Sequence, residues 1–177
     1  MKSETDFTFL HQKKMKIVSA QISDIVVIQQ LARKSWEKAY SEILTHEQIE
    51  YMLGTMYSET EIASQMQNPD YHYFLILDEE NPAGFIGFQH HYEKSTTKLH
   101  RLYLLEESKG KGFGKAGIDF LKLQTQKSGD RRIILNVNKN NIAKTIYEKL
   151  GFSVYGEGVF DIGNGFVMDD YLMEIFL

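Results

Sequence analysis

No cysteine occurs in the 177 residues, which excludes both a disulfide framework and a cysteine-based zinc site and suits a reducing cytoplasm. No run approaches the roughly 20 consecutive apolar residues that span a bilayer. The start of the chain lacks the apolar stretch of roughly 7–15 residues that marks a signal peptide. It reads as a loose tail over residues 1–15, with Met15 a second candidate start and the fold beginning near Lys16. A cytoplasmic protein is expected. A basic excess is missing too: 20 Lys and Arg against 24 Asp and Glu leave a formal net charge of −4. That balance argues against a nucleic-acid partner and suits a cationic substrate better than an anionic one. No repeat, low-complexity tract or Gly/Ser linker divides the chain. Residues 16–177 are therefore expected to form one domain around one core.

What is present is a regular alternation of patterns. Residues 16–20 suit a short strand. From Asp24 to Tyr40, Ile28, Leu31, Ala32, Ser35, Trp36 and Ala39 recur at helical spacing. Thr45-His46-Glu47-Gln48 and Ser58-Glu59-Thr60-Glu61 each match a capping box and open short helices, the second ending before Pro69. Strands are predicted over 71–77, 83–92 and 98–105. A glycine loop at 109–114 leads into a helix over 115–127, followed by a strand over 133–137. A helix over 140–150 stops at Gly151, the residue type that tolerates the left-handed conformation past a helix end. Two last strands, 153–159 and 167–176, flank a turn at Asp161–Gly165. The expected class is α+β (mixed α/β) around one mixed sheet.

The segment from Leu102 to Lys115 carries the most information. Gly110, Gly112 and Gly114, between a strand and a helix, let successive backbone N–H groups turn toward one point. The helix N-terminus adds its partial positive charge, so the spot suits a phosphate or pyrophosphate. Lys109, Lys111 and Lys115 stand close by. A Walker A loop fails, because Lys109 and Ala116 stand where a glycine and a hydroxyl are needed. Gly112, Gly114 and Gly117 satisfy Gly-x-Gly-x-x-Gly literally. That loop, however, does not follow the strand directly, and the next strand ends in Asn136-Val137-Asn138 without the acidic residue a ribose requires.

Lys109-Gly110-Lys111-Gly112-Phe113-Gly114 resembles the pyrophosphate loop Gln/Arg-x-x-Gly-x-Gly/Ala of the GNAT acetyltransferase family, with Lys109 in the Gln/Arg position. Asn140-Asn141-Ile142-Ala143-Lys144-Thr145-Ile146-Tyr147-Glu148-Lys149-Leu150-Gly151-Phe152 is similar to a second motif of the same family. The resemblance covers roughly Phe74 to Phe152 closely and the N-terminal helices more loosely. It implies a central, mostly antiparallel twisted sheet with helices on both faces. It further implies acetyl-CoA as co-substrate and no metal. The loop Lys109, Gly110, Lys111, Gly112, Phe113, Gly114 and Lys115 would hold the pyrophosphate. Leu102, Tyr103 and Leu104 would lie on a strand splayed from its neighbour to receive the pantetheine arm, with Asn140 and Ala143 nearby. Read singly, the parts of the second motif have ordinary structural roles: Asn140 a cap, Ala143 and Ile146 core, Tyr147 packing.

Acetyl transfer to an amine needs an aligned thioester, a neutral nucleophile and a proton for the leaving sulfur. The resemblance implies Tyr147 as that acid. For the base, His100 is the leading candidate, expected by alternation on the face of Leu102 and Leu104. His90, His91 and water remain open. Trp36, Tyr40, Tyr51 and Tyr57 are candidates for an aromatic wall around a cationic acceptor, or for core. Asp169 and Asp170 point to opposite faces of one strand, so one of them, taken as Asp169, is expected at the acceptor. The Trp36 to Tyr40 helix, residues 45–49, residues 99–103 and Gly163 to Tyr171 are similar to the bacterial spermidine/spermine acetyltransferase branch. That similarity implies a small-molecule amine, a polyamine foremost. A peptide-modifying acetyltransferase and a non-catalytic acyl-CoA-binding module are the alternatives, and a homodimer is left open.

Overall fold

The computed structural model describes residues 15–177. The expected tail lies outside the described residues except for Met15, which opens strand β1 (Met15–Ser19). Three helices follow, α1 (Ile25–Tyr40), α2 (His46–Met56) and α3 (Glu59–Gln67). The hydroxyl half of each expected capping box forms. Thr45 accepts the backbone N–H of Gln48, and Ser58 accepts that of Glu61, occupying donors that a helix start leaves free. The return half does not form at Thr45. The Gln48 amide instead donates to the Val167 carbonyl, 2.9 Å away, and so ties α2 to the far end of the chain.

Strands β2 (Tyr71–Asp78), β3 (Asn81–Glu93) and β4 (Thr96–Leu104) form an antiparallel meander. Then come α4 (Phe113–Ser128), β5 (Arg132–Asn138), α5 (Ala143–Lys149), β6 (Ser153–Gly163) and β7 (Phe166–Phe176). The sheet order is β1-β2-β3-β4-β5-β7-β6, and every pairing is antiparallel except β4 with β5. β1 joins by pairing Met15 with Asp78 and Ser19 with Phe74.

Both faces of the sheet are covered, as the sequence implied. On the front, α1–α3 bury Ile28, Leu31, Trp36, Met52 and Ile62 against Tyr71, Tyr73, Leu75 and Phe85. On the back, α4 and α5 cover Ile86, Phe88, Leu99, Ile133, Leu135 and Met173 with Ile118 and Leu121. β3 serves both layers, which explains its unbroken buried run from Ala83 to Phe88. Each such side chain contributes about 1.5–3 kcal/mol by leaving water. In α5, Ala143 joins the back layer but Ile146 does not; it is 52% exposed. The helix is only two turns long, and Ile146 joins none of the buried clusters among the described residues.

Two irregularities of β4 position the site. First, its parallel pairing with β5 runs only from Thr96 with Arg132 to Leu99 with Leu135. Beyond that the strands part, and among the described residues the β5-facing edge of residues 100–104 has no strand partner. Second, Gly87 pairs with Arg101 but Phe88 pairs with Leu99, so His100 is an extra residue, a β-bulge.

Candidate active site

The glycine loop approaches α4 in the conformation its sequence predicts. Gly110 and Gly112 have φ of +74° and +84°, where a side chain is strained. A Cβ at either would meet nothing within 4 Å, so the concavity is open. Gly112 is the N-cap of the 16-residue helix α4 and supplies no side chain to cap it. The first-turn N–H groups are therefore free for an anion. Gly114 has an ordinary φ, and a Cβ there would sit 3.6 Å from Leu104; its bareness matters for how closely a ligand approaches the backbone. Gly117 serves packing, since a Cβ would lie 3.3 Å from Leu102. Phe113 offers only its backbone, because its ring is buried with Ile76 and Ala83.

The three lysines are not free cations. Lys109 pairs with Glu106 at 2.7 Å, Lys111 with Asp78 at 3.1 Å and Lys115 with Asp119 at 2.5 Å. All three pairs are largely solvent-exposed and individually weak. The loop thus presents backbone N–H groups ringed by charge pairs that an incoming phosphate must reorganise.

The bulge reassigns the faces of β4. Leu102 and Leu104 point back toward α4. His100 does not share their face, contrary to simple alternation. Its ring stacks on Tyr71 of the front layer, centroids 4.9 Å apart, beside Arg101. Burial, with Lys98 and Arg101 next in weight, pushes the imidazole down to about 3. It is uncharged at neutral pH, and its buried Nε2 has no hydrogen-bond partner. Arg101 is buried as well. It donates to Tyr71 (2.6 Å), Tyr73, Gln65 (2.8 Å) and the Met56 carbonyl (2.7 Å), and stacks over Tyr57.

The other two histidines lie elsewhere. His90 and His91 sit near the C-terminal end of α4, opposite the glycine loop. There His90 contacts Thr97 and His91 bridges Asp70 and the Ser128 carbonyl; Thr97 donates to the buried Asp130. They belong to a structural network and do not reach the splay. Burial, with help from His72, pushes His90 down to about 4; the Asp70 and Ser128 hydrogen bonds raise His91.

Across the splay, α5 carries Tyr147, half-buried and edge-on to Phe152 with centroids 5.6 Å apart. Burial raises its phenol well above the ordinary value, with a further rise from Tyr40. Asn140 is exposed, and the capping in this turn falls to its neighbours: Asn138 accepts the N–H of Asn140, and Asn141 that of Ala143. From α1, Trp36 is core, 3% exposed, and donates to Tyr57. Tyr40 is also buried, but its hydroxyl meets the side chains of Tyr103 and Asn141 and feels Asp170. The Tyr103 ring therefore belongs to the front layer, near Trp36 and Phe85, and leaves only its backbone to the splay. Tyr57 is core, and Tyr51 donates to the Ile162 carbonyl.

Asp169 lies on the back face, exposed, paired with Lys139 at 2.8 Å. Its neighbour Asp170 is the inward residue, 7% exposed on the front face. Asp170 pairs in register with Asn138, hydrogen-bonds the Asn136 side chain and leaves Oδ1 without a partner. Burial raises its carboxyl, and Asn136 partly offsets this. The signal available from sequence was Asn136-Val137-Asn138, two amides on one face at the end of a buried strand.

A splayed parallel pair, a glycine cradle on a helix N-terminus and a tyrosine on the facing helix together form a candidate site for a phosphate-bearing ligand. Residues 40–171 match the acetyltransferase (GNAT) domain, and the chain belongs to that family of N-acetyltransferases. It is 27% identical over 164 residues to the spermidine N(1)-acetyltransferase of Thermoplasma acidophilum, covering 88% of this chain and 96% of that one. Against the 5-NmdU N-acetyltransferase of Pseudomonas phage PaMx11 it is 36% identical over 77 residues, 43% of this chain and about half (53%) of the phage protein. The fold superposes on the PaiA N-acetyltransferase from Thermoplasma acidophilum in complex with coenzyme A, with TM-score 0.78, 25% identity and coverage of 92% and 99%. Among the described residues no cluster of metal ligands occurs, and no helix is long and apolar enough to cross a membrane.

Proposed function

We propose that the protein transfers acetyl from acetyl-CoA to a primary amine of a small cationic acceptor, a polyamine such as spermidine foremost. The open, uncapped cradle at Gly110–Gly112 carries the first part of this reading. Backbone N–H groups of residues 110–115 hold the pyrophosphate, and the unpaired edge of Leu102–Leu104 holds the pantetheine arm, with Asn140 and Ala143 alongside. Acetyl-CoA supplies the activated thioester.

Tyr147 protonates the departing sulfur. Its raised pKa keeps the proton in place until the thiolate develops. His100, unprotonated throughout the physiological range, accepts a hydrogen bond from the attacking amine on the β4 side. Tyr40 links the two sides through its hydroxyl.

The near full-length similarity to a spermidine N(1)-acetyltransferase supports a polyamine acceptor, as does the acidic balance of the chain. The test is a turnover screen with acetyl-CoA over polyamines, aminoglycosides, amino acids and peptides. Polyamines are expected to lead it. A peptide at the top would replace this acceptor with a protein substrate. Coenzyme A binding without turnover of any amine would indicate a binding module.

A further inference from the structure

We propose that Asp170 is the proton acceptor for the attacking amine, an inference that rests on the acetyltransferase reading above. Two buried polar atoms on the front face lack partners, Asp170 Oδ1 and His100 Nε2. An orphaned buried carboxylate oxygen is costly and calls for a donor in the functional state. The Asp170 carboxylate oxygen can only accept, so the group missing there is an N–H or O–H donor. An alkylammonium carries three.

The surroundings fit that ligand. Asp170 lies across the register from Asn138, and Asn136 beside it is exposed, so solvent reaches this part of the front face. α1 packs on β3 and β4, α3 packs on β2, α2 reaches β7 through Gln48 at Val167 and Met168, and α4 and α5 lie on the back. Opposite Asp170 and Leu172, β6 offers Gly158 and Gly156, with the Phe160 ring packed over Gly158 and the Leu172 side chain over Gly156. Tyr40 lies within electrostatic range of both Asp170 and Tyr147. Burial also makes the carboxylate a stronger base than an exposed aspartate. The charged and titratable groups around it are Lys98 on β4, Tyr40 on α1 and Asp169 on the other face of β7.

The proton balance closes. Asp170 takes one proton from the ammonium, and the neutral nitrogen forms its bond to the thioester carbonyl carbon as the carbon–sulfur bond breaks. Tyr147 gives its proton to sulfur and regains one from the nitrogen, which becomes the amide. Asp170 releases its proton to solvent, so one proton appears per acetyl transferred.

The test is Asp170→Asn, nearly isosteric, with Asp170→Glu beside it. Each is measured with spermidine across pH 6–10 together with coenzyme A affinity and Tm. For Asp170→Asn we expect kcat/KM to fall roughly 10²- to 10⁴-fold near neutrality. The deficit should shrink as the amine deprotonates toward its pKa near 10. Coenzyme A affinity should stay within twofold, Tm should be unchanged or higher, and Asp170→Glu should recover part of the rate. Wild-type activity in Asp170→Asn, or a loss that is the same at every pH, overturns the assignment. A wild-type protein that acetylates no amine defeats the acetyltransferase reading itself, whatever the variants do.

Discussion

Asp169 and Asp170 are adjacent in the chain and opposite in circumstance: one pairs with Lys139 in solvent, the other is buried with an unpartnered oxygen. Asp169→Asn is therefore expected to leave kcat/KM for the acceptor within about threefold, since an exposed pair contributes only 0–1 kcal/mol. Steady-state kinetics on this variant checks that Asp169 takes no part in binding the acceptor.

Gly112→Val should lower coenzyme A affinity by well over tenfold, because φ of +84° excludes a branched side chain and the cradle distorts. Gly114→Ala keeps an ordinary φ and meets Leu104 at contact distance, so any loss there reports crowding of the ligand alone. Calorimetry on both, with folding confirmed, separates the two effects. Neutralising the lysine partners with Glu106→Gln, Asp78→Asn and Asp119→Asn together should tighten coenzyme A a few-fold, less at high salt.

Tyr147→Phe should reduce kcat by roughly 10- to 1,000-fold with little change in KM for acetyl-CoA, the pattern of an interaction made only in the transition state. Wild-type turnover would reduce Tyr147 to packing against Phe152.

Burial sets the acid stability. His100 and His90 are held near 3 and 4, against an ordinary value of about 6.5. The unfolded chain takes up protons that the folded chain refuses, so stability present above pH 6.5 declines as pH falls from there toward those values. Each histidine contributes up to about 1.4 kcal/mol per pH unit in that window. His91 acts oppositely: its raised pKa gives stability below 6.5 that is lost as pH rises through its folded value. Thermal melts from pH 8 to 4 should fall steeply below 6.5 and less steeply in His100→Gln. The acidic limb of kcat/KM above pH 5 should not move in that variant, because His100 does not titrate there.

Arg101 anchors the front core through four acceptors. Arg101→Met removes all four bonds, leaves the Met56 carbonyl and the Tyr71 hydroxyl without it while Tyr73 still donates to Gln65, and should cost about 3 kcal/mol, a drop of roughly 6–12 °C in Tm. Arg101→Lys should not restore it, since an ammonium lacks the planar fork.

Local signals in the sequence translated directly into structure. The Thr45 and Ser58 caps, the loop glycines and the helix bearing Tyr147 depend on neighbours within a few positions. The orientation of His100 does not: its bulge arises from the register with Gly87 and Phe88 on another strand. Alternation likewise told Asp169 from Asp170 without saying which faced inward, because that depends on how β7 pairs with β5. Trp36 and Tyr40 share a helix face, yet only packing made Trp36 core and left the Tyr40 hydroxyl at the splay. The partners of Lys109, Lys111 and Lys115 were equally hidden, Asp78 being on a distant strand.

The central claim, acetyl transfer to a small cationic amine, is tested most directly by kcat/KM for spermidine against an N-terminal or lysine-containing peptide under identical conditions. The account predicts a ratio well over ten in favour of spermidine, falling as salt screens the attraction. A peptide turned over as well as spermidine, or better, would contradict it.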